Sequence, residues 1–217
     1  MLDPRTLRLT VVTSGTVDVA RSHRAIAIAA LAGGATTVQL RAPELDDAAL
    51  LPLAVDLAAR CRGAGVLFMV NDRLGIAIQS GADGVHLGQA DDPARARDHL
   101  GPDAILGISV SGAEEARAAV SMGADYLGVT VWATRTKPEA TGRGPEGVHE
   151  ACEAVSIPVV GIGGIDRHNL AQVFDAGASG IAVISAVASA SDPVEATRDL
   201  RTLIDQWEAE ADGPAHR

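Results

Sequence analysis

GADGVHLGQ, residues 81–89, is the stretch on which the fold turns. A Gly-Ala pair closes an Ala-rich helical segment, and a β-branched run follows at once. The glycine supplies the left-handed residue that ends a helix, and the apolar run after it reads as a buried strand. The same phrase recurs as GGATTVQLR from Gly33, GADYLGVTV from Gly123 and GASGIAVIS from Gly177. One local signal therefore marks four helix-to-strand junctions.

Further strands lie between these junctions: GVLFMVND from Gly65, AILGISVS from Ala104 and IPVVGIGGI from Ile157. LRLTVVTSG from Leu7 precedes them all and brings the count to eight. The segments Asp46 to Arg62, Gly112 to Met122 and Asp166 to Ala176 place Ala, Leu and Val at helical spacing with charges between them. Asp46, Ser111 and Asp166, or their neighbours, are the candidate N-caps. Continuous apolar strands alternating with helices call for a parallel sheet. An open doubly wound sheet would give the same alternation. Eight strands, at about 27 residues per strand–helix unit, favour a single-domain α/β protein of the (β/α)8 TIM-barrel type. The barrel is expected to span residues 1–208, with a last helix ending near Trp207 and a polar tail over 209–217.

Composition narrows the function. Apolar residues make up 47% of the 217-residue chain but aromatics only 2%, so Ala, Val, Ile and Leu must build the core. A net charge of −10 argues against general binding to nucleic acid or to anionic membranes. Any anionic ligand then needs locally placed cations. Seventeen of the eighteen basic residues are arginines, and Lys137, in WATRTKPEATGRG from Trp132, is the only lysine. Cys61 and Cys152 have no metal-ligand or redox spacing and read as reduced, unpaired thiols. There is no basic leader before an apolar run and no stretch of about 18 apolar residues, so a soluble cytoplasmic protein is expected.

A barrel keeps its chemistry at the C-terminal ends of its strands. Those ends carry Gln39 and Arg41, Asn71 and Asp72, the run from His86 to Asp91, Ser109, the loop with Thr134, Thr136 and Lys137, the turn GIGGI from Gly161, and Ile184-Ser185. Asp72 and Asp91 follow neighbouring strands. Two such carboxylates suit Mg2+, which takes one or two protein carboxylates together with substrate phosphates. Capping of the next helices by the two aspartates is the competing reading. GIGGI and ISA are each read as opening a helix, where bare backbone amides would bind phosphate. His86, between Val85 and Leu87, reads as a hydrogen-bonded core or supporting histidine and stays outside the catalytic set. Trp132 either lines a ring-binding wall or covers the barrel mouth.

These motifs, VQLR, VNDRLGIAIQSGADGVHLGQAD, GIS, GADYLGV, TRTK, IPVVGIGGI and GIAVISA, resemble the thiamine phosphate synthase family in order and spacing over roughly residues 8 to 190. The resemblance implies a TIM-barrel transferase of thiamine biosynthesis. Such an enzyme joins a hydroxymethylpyrimidine diphosphate to a thiazole phosphate, or its carboxylated form, and releases pyrophosphate. It further implies Mg2+ on Asp72 and Asp91, and pyrimidine diphosphate contacts from Gln39, Arg41, Asn71 and Ser109. Thr134, Thr136, Gly164, Ile184 and Ser185 would hold the thiazole phosphate. Lys137 would reach the diphosphate, and Lys137, Ser109 and Arg41 form the catalytic set. The partners implied are small phosphorylated molecules, with a homo-oligomer left open.

Two departures stand out. Pro43 occupies the place where the family usually has a lysine, two residues after the arginine of QLR. The loop GVTVWAT before TRTK is also a residue shorter than usual. Two rivals share the cradle: a thiazole tautomerase, towards which Pro43 leans, and a non-catalytic barrel that senses thiazole phosphate or thiamine phosphate. Against both stands the joint presence of Asn71-Asp72, Asp91 and TRTK.

Overall fold

Each Gly-Ala phrase launches a strand in the computed structural model, which describes residues 2–15, 21–88, 92–133 and 141–211. The strands are β1 (Leu9–Val12), β2 (Thr37–Leu40), β3 (Leu67–Asn71), β4 (Gly84–Leu87), β5 (Ile105–Val110), β6 (Tyr126–Thr130), β7 (Val159–Ile162) and β8 (Gly180–Val183). The helices are α1 (His23–Gly33), α2 (Asp47–Ala64), α3 (Leu74–Ser80), α4 (Pro93–Leu100), α5 (Ala113–Ser121), α6 (Gly144–Ala154), α7 (Leu170–Asp175), α8 (Ser185–Ala188) and α9 (Pro193–Ala211). The strands pair in chain order, all parallel, and β1 closes on β8 with Leu9 opposite Ile181. Closure excludes the open doubly wound sheet. The fold is the expected (β/α)8 barrel.

The junctions work by one hydrogen-bond pattern. The alanine after each helix-ending glycine donates its N–H back across the turn: Ala35 to Ala30 O (3.0 Å), Ala82 to Ala77 O (3.1 Å), Ala124 to Ala119 O (3.1 Å) and Ala178 to Val173 O (3.3 Å). This is the long bond of a Schellman turn, and it requires the preceding residue to be left-handed, as at Gly81 (φ 68°). The next residue is polar and reaches sideways. Thr36 Oγ1 accepts the N–H of Leu9 (2.9 Å), Asp83 Oδ2 that of Phe68 (2.7 Å) and Asp125 Oδ2 that of Leu106 (2.8 Å). The repeat thus ends a helix, starts a strand, and ties that strand to the first residues of its neighbour.

Alternation within the strands sorts the core into two. Val38, Leu40, Phe68, Val70, Val85, Leu87, Leu127 and Val129 join the layer between sheet and helices. Val12, Met69, Tyr126, Val160 and Ala182 form a separate cluster, the barrel interior. Space inside is tight. A Cβ on Gly107 would lie 2.3 Å from the Tyr126 ring and 2.5 Å from His86 Nδ1, and one on Gly128 would lie 2.9 Å from His86 Cε1. Two glycines therefore make room for the two large polar rings.

Two helix boundaries depart from the sequence reading. The helix expected from Asp166 begins at Leu170. Asp166 instead accepts the N–H of His168 (2.7 Å), while Asn169 Oδ1 takes the N–H of Asp166 (2.8 Å). Such local side-chain bonds compete with helix. The last helix, expected to stop near Trp207, continues to Ala211. Trp207 stacks on Phe174 at 4.9 Å between ring centroids and donates Nε1–H to Asp175 (2.9 Å), which anchors that end. Asp46 caps α2 as expected, accepting the N–H of Ala49. The N-cap of α5 is Gly112, the residue beside Ser111, and Ser111 binds Glu115 in the first turn.

Gly65 and Gly84 separate backbone strain from steric exclusion. Gly65 is left-handed (φ 68°) with open space around its Cβ position, so Gly65→Ala should lose about 1–2 kcal/mol in urea denaturation, and Gly65→Asn less. At Gly84 a Cβ would sit 2.0 Å from Ile105 O across the β4–β5 pair. Gly84→Ala should therefore fail to give a cooperatively folded protein.

Candidate active site

The C-terminal ends of the strands bring together Gln39 and Arg41 at β2, Asn71 and Asp72 at β3, Ser109 in β5, Gly164 after β7, and Ile184-Ser185 after β8. Asp91, Thr134, Thr136 and Lys137 lie outside the described residues. The stems of the loop that carries the last three are pinned. Arg143 N–H donates to Thr130 O (2.9 Å) and Gly144 N–H to Val131 O (2.8 Å), while Val131 N–H binds Ile162 O (2.7 Å).

One hydrogen-bonded chain crosses the barrel interior. Gln39, 5% exposed, bonds the Tyr126 hydroxyl. Tyr126 Oη lies 2.9 Å from His86 Nδ1, and His86 Nε2 lies 3.0 Å from Ser109 Oγ. Burial pushes the Tyr126 phenol well above its ordinary range, and the bond from Gln39 only partly offsets this. Tyr126 therefore stays protonated. The two ring nitrogens of His86 are thus held between the Tyr126 hydroxyl and Ser109 Oγ. Sequence reading placed His86 among supporting histidines; its partners show what it supports. Tyr126 had no signal of its own, because the residues it joins lie on three other strands.

Asp72 has a left-handed backbone (φ 61°), and no other described residue except glycine has positive φ. Such backbone is costly away from glycine and tends to gather at functional sites. Its N–H donates to His86 O (2.8 Å), and its Oδ1 accepts the N–H of Gly88 (3.3 Å) across to the end of β4. Asp72 is not the cap of α3; that position is Arg73, which makes no side-chain cap bond. The cap of α4 is Asp92, bonding the N–H of Arg95 (3.1 Å). The capping reading thus fails for Asp72, and α4 is capped without calling on Asp91. Asp72 is an exposed hard-oxygen donor at the barrel mouth, which suits Mg2+. No group of three or more metal-ligating side chains occurs among the described residues.

A second chain, absent from the sequence reading, runs beside Arg41. Thr13 is fully buried and His23 is 6% exposed. His23 Nδ1 lies 2.9 Å from Thr13 Oγ1 and its Nε2 2.5 Å from Glu44 Oε1, and Thr13 Oγ1 accepts the Arg41 N–H (3.2 Å). Burial raises the Glu44 carboxyl, but the His23 bond, aided by a local backbone bond and the nearby Arg41 charge, outweighs it and holds the group below its ordinary range. The guanidinium of Arg41 makes no ion pair among the described residues.

The turns after β7 and β8 differ from each other. Ile184-Ser185 opens the short helix α8 directly, as expected. GIGGI does not open a helix: Gly163 and Gly164 are left-handed (φ 96° and 66°), and α7 starts only at Leu170. Asn169 Nδ2 donates to Gly164 O (2.9 Å) and holds the turn. Trp132 packs here, with its Cβ 2.9 Å from where a Gly164 Cβ would stand, so it covers this side of the mouth. Burial pushes the Cys61 thiol up to about 12 and Cys152 to about 11, so neither is a nucleophile. Among the described residues no helix is long and apolar enough to cross a membrane.

Residues 9–187 match the family model described as thiamine monophosphate synthase. The thiamine-phosphate synthase of Chloroflexus aurantiacus is 46% identical over 199 residues, covering 91% of this chain and 92% of the relative. That of Moorella thermoacetica is 50% identical over 178 residues, covering 81% and 85%. Among solved structures, the thiamine phosphate pyrophosphorylase of Pyrococcus furiosus superposes with a TM-score of 0.87 at 37% identity, covering 94% of this chain and 98% of that one. A 3-hexulose-6-phosphate synthase, at 19% identity and a TM-score of 0.65, shares the fold alone.

The interior chain can be tested by removing one oxygen. Tyr126→Phe leaves His86 Nδ1 and Gln39 without their shared partner in a buried site. It should lose about 1–3 kcal/mol of stability, read by urea denaturation. A change within a few tenths of a kcal/mol would mean that the hydroxyl holds nothing in place.

Proposed function

The chain belongs to the thiamine monophosphate synthase family, and from that premise we propose how its residues make thiamine phosphate. The substrates are hydroxymethylpyrimidine diphosphate and a thiazole phosphate, and the second product is pyrophosphate. The curated relatives carry the synthase name, so the synthase reading stands ahead of the tautomerase and sensor readings.

The observation that carries the reading is the interior chain Gln39–Tyr126–His86–Ser109. It joins two of the residues that the resemblance assigns to the pyrimidine and presents them from β2 and β5 to one interior. His86 Nε2, 3.0 Å from Ser109 Oγ, orients that hydroxyl towards a ligand. Gln39 and Asn71 stand on adjacent strands and bind the pyrimidine edge. The ring is thereby held with its CH2–O bond towards the mouth.

In the reaction that C–O bond breaks, and its electron pair leaves with the diphosphate oxygen. The thiazole nitrogen then forms the new N–C bond with its lone pair. No protein nucleophile is needed, and the raised pKa of both thiols agrees with that. What is needed is charge on the departing diphosphate and two substrates held in line. Arg41 and Lys137 supply local cationic charge in a chain whose overall net charge is −10. Lys137, a compact and mobile ammonium, suits a leaving group that shifts as it departs. Mg2+, held by Asp72 and Asp91, adds divalent charge on the diphosphate when bound. Gly164, Ile184 and Ser185, with Thr134 and Thr136, cradle the thiazole phosphate. Two unpaired cysteines fit a reducing cytoplasm.

Purified protein given both substrates and Mg2+ should form thiamine phosphate and pyrophosphate, read by mass spectrometry and a coupled assay. EDTA should abolish both products; indifference to EDTA would remove Asp72 and Asp91 from the metal role. Lys137→Ala should lower kcat by about 100-fold or more with folding unchanged. Unchanged turnover would end the role given to Lys137.

A further inference from the structure

The β1–β2 ladder ends at Val12 opposite Gln39, with Thr13 N–H still reaching Gln39 O (2.9 Å). Beyond it the Arg41 N–H is taken not by a carbonyl but by the Thr13 hydroxyl (3.2 Å). That hydroxyl is oriented by His23 Nδ1 (2.9 Å), and the other ring nitrogen is clamped by Glu44 Oε1 (2.5 Å). The ring cannot turn without leaving a buried nitrogen unpaired. On its far side the backbone of Gly15 closes in: a Cβ there would stand 2.4 Å from Glu44 Oε1 and 3.2 Å from His23 Nε2.

The four residues come from three places: the end of β1, the first residue of α1, and the loop that leaves β2. The chain Glu44–His23–Thr13 therefore ties the start of α1 to the residue from which the Arg41 side chain departs. The same loop holds Pro43, so the cation usual at that position is missing and the placement of Arg41 matters more. We infer that His23, clamped by Glu44, is a positioning residue that acts through Thr13 to aim Arg41 at the diphosphate of the first substrate. The inference rests on the reading of Arg41 given above.

Steady-state kinetics on wild type, His23→Ala, Arg41→Ala and the double variant decide it, with Thr13→Val as an isosteric second probe and circular dichroism to check folding. Arg41→Ala should raise KM for the pyrimidine diphosphate. His23→Ala should raise the same KM about tenfold and leave KM for the thiazole phosphate within about twofold. In the double variant the loss should equal that of Arg41→Ala alone, because His23 has nothing left to position. His23→Asn, whose amide can reach Thr13 in place of Nδ1, should recover most of the loss, and Thr13→Val should reproduce it. If His23→Ala fails to fold, Thr13→Val alone and combined with Arg41→Ala completes the same cycle. Losses that add in the double variant, or both KM values rising together, would overturn the positioning role. If Arg41→Ala leaves KM for the pyrimidine diphosphate unchanged, the reading of Arg41 itself falls, and the positioning role falls with it.

Discussion

The Schellman turn at the end of a helix is the constraint from which the rest of this protein follows. Its left-handed glycine stops the helix in one place, and the N–H of the following alanine reaches back to fix the exit direction. The residue after that binds the start of the neighbouring strand through Thr36, Asp83 or Asp125. Strand start and strand register are therefore set together. A parallel barrel has no hairpins to set register, so each strand must be placed by what precedes it. With the lower ends fixed, strands of four to six residues all deliver their last side chains to one rim.

The interior makes that rim chemically specific. A barrel this narrow is normally filled with aliphatic side chains. Here Gly107 and Gly128 leave the volume that His86 and Tyr126 occupy, and the two rings hand one hydrogen-bond chain from Gln39 to Ser109. Buried polar groups are expensive unless every atom finds a partner. The chain meets that demand for both rings. The polar contents of the barrel are thus a support for the site as well as a core.

The eight strands, and the positions of the described rim residues at their ends, were legible because each is announced locally, by a glycine, an apolar run and a polar residue where the run ends. What was not legible depends on contacts across the fold. His86 between Val85 and Leu87 looks like any strand histidine until Tyr126 and Ser109 come beside it. His23 sits at the head of α1, where nothing in its neighbours hints at Glu44 and Thr13. The loop after GIGGI misled for a different reason. Helical spacing over 166–176 is genuine, but the Asp166 and Asn169 side chains satisfy the backbone that a first helical turn would have used. The left-handed backbone of Asp72 is likewise invisible in sequence, because aspartate only rarely adopts it.

Charge brings these threads together. An acidic protein that handles two phosphorylated substrates must present cations that are not already spent on its own carboxylates. Most arginines here are spent that way: Arg97 with Asp125 (2.6 Å), Arg73 with Asp47 (2.7 Å), Arg24 and Arg60 both with Asp56 (3.0 Å), and Arg143 with Glu150 (3.3 Å). Exposed pairs of this kind add little stability, but they occupy the guanidinium. Arg41 differs: its backbone is held through Thr13 while its guanidinium makes no ion pair among the described residues. Glu44, whose carboxyl feels the Arg41 charge, is engaged by His23. His23 thus engages a carboxylate that feels the Arg41 charge while its other nitrogen holds the hydroxyl that takes the Arg41 N–H, and the proposed positioning role rests on both contacts.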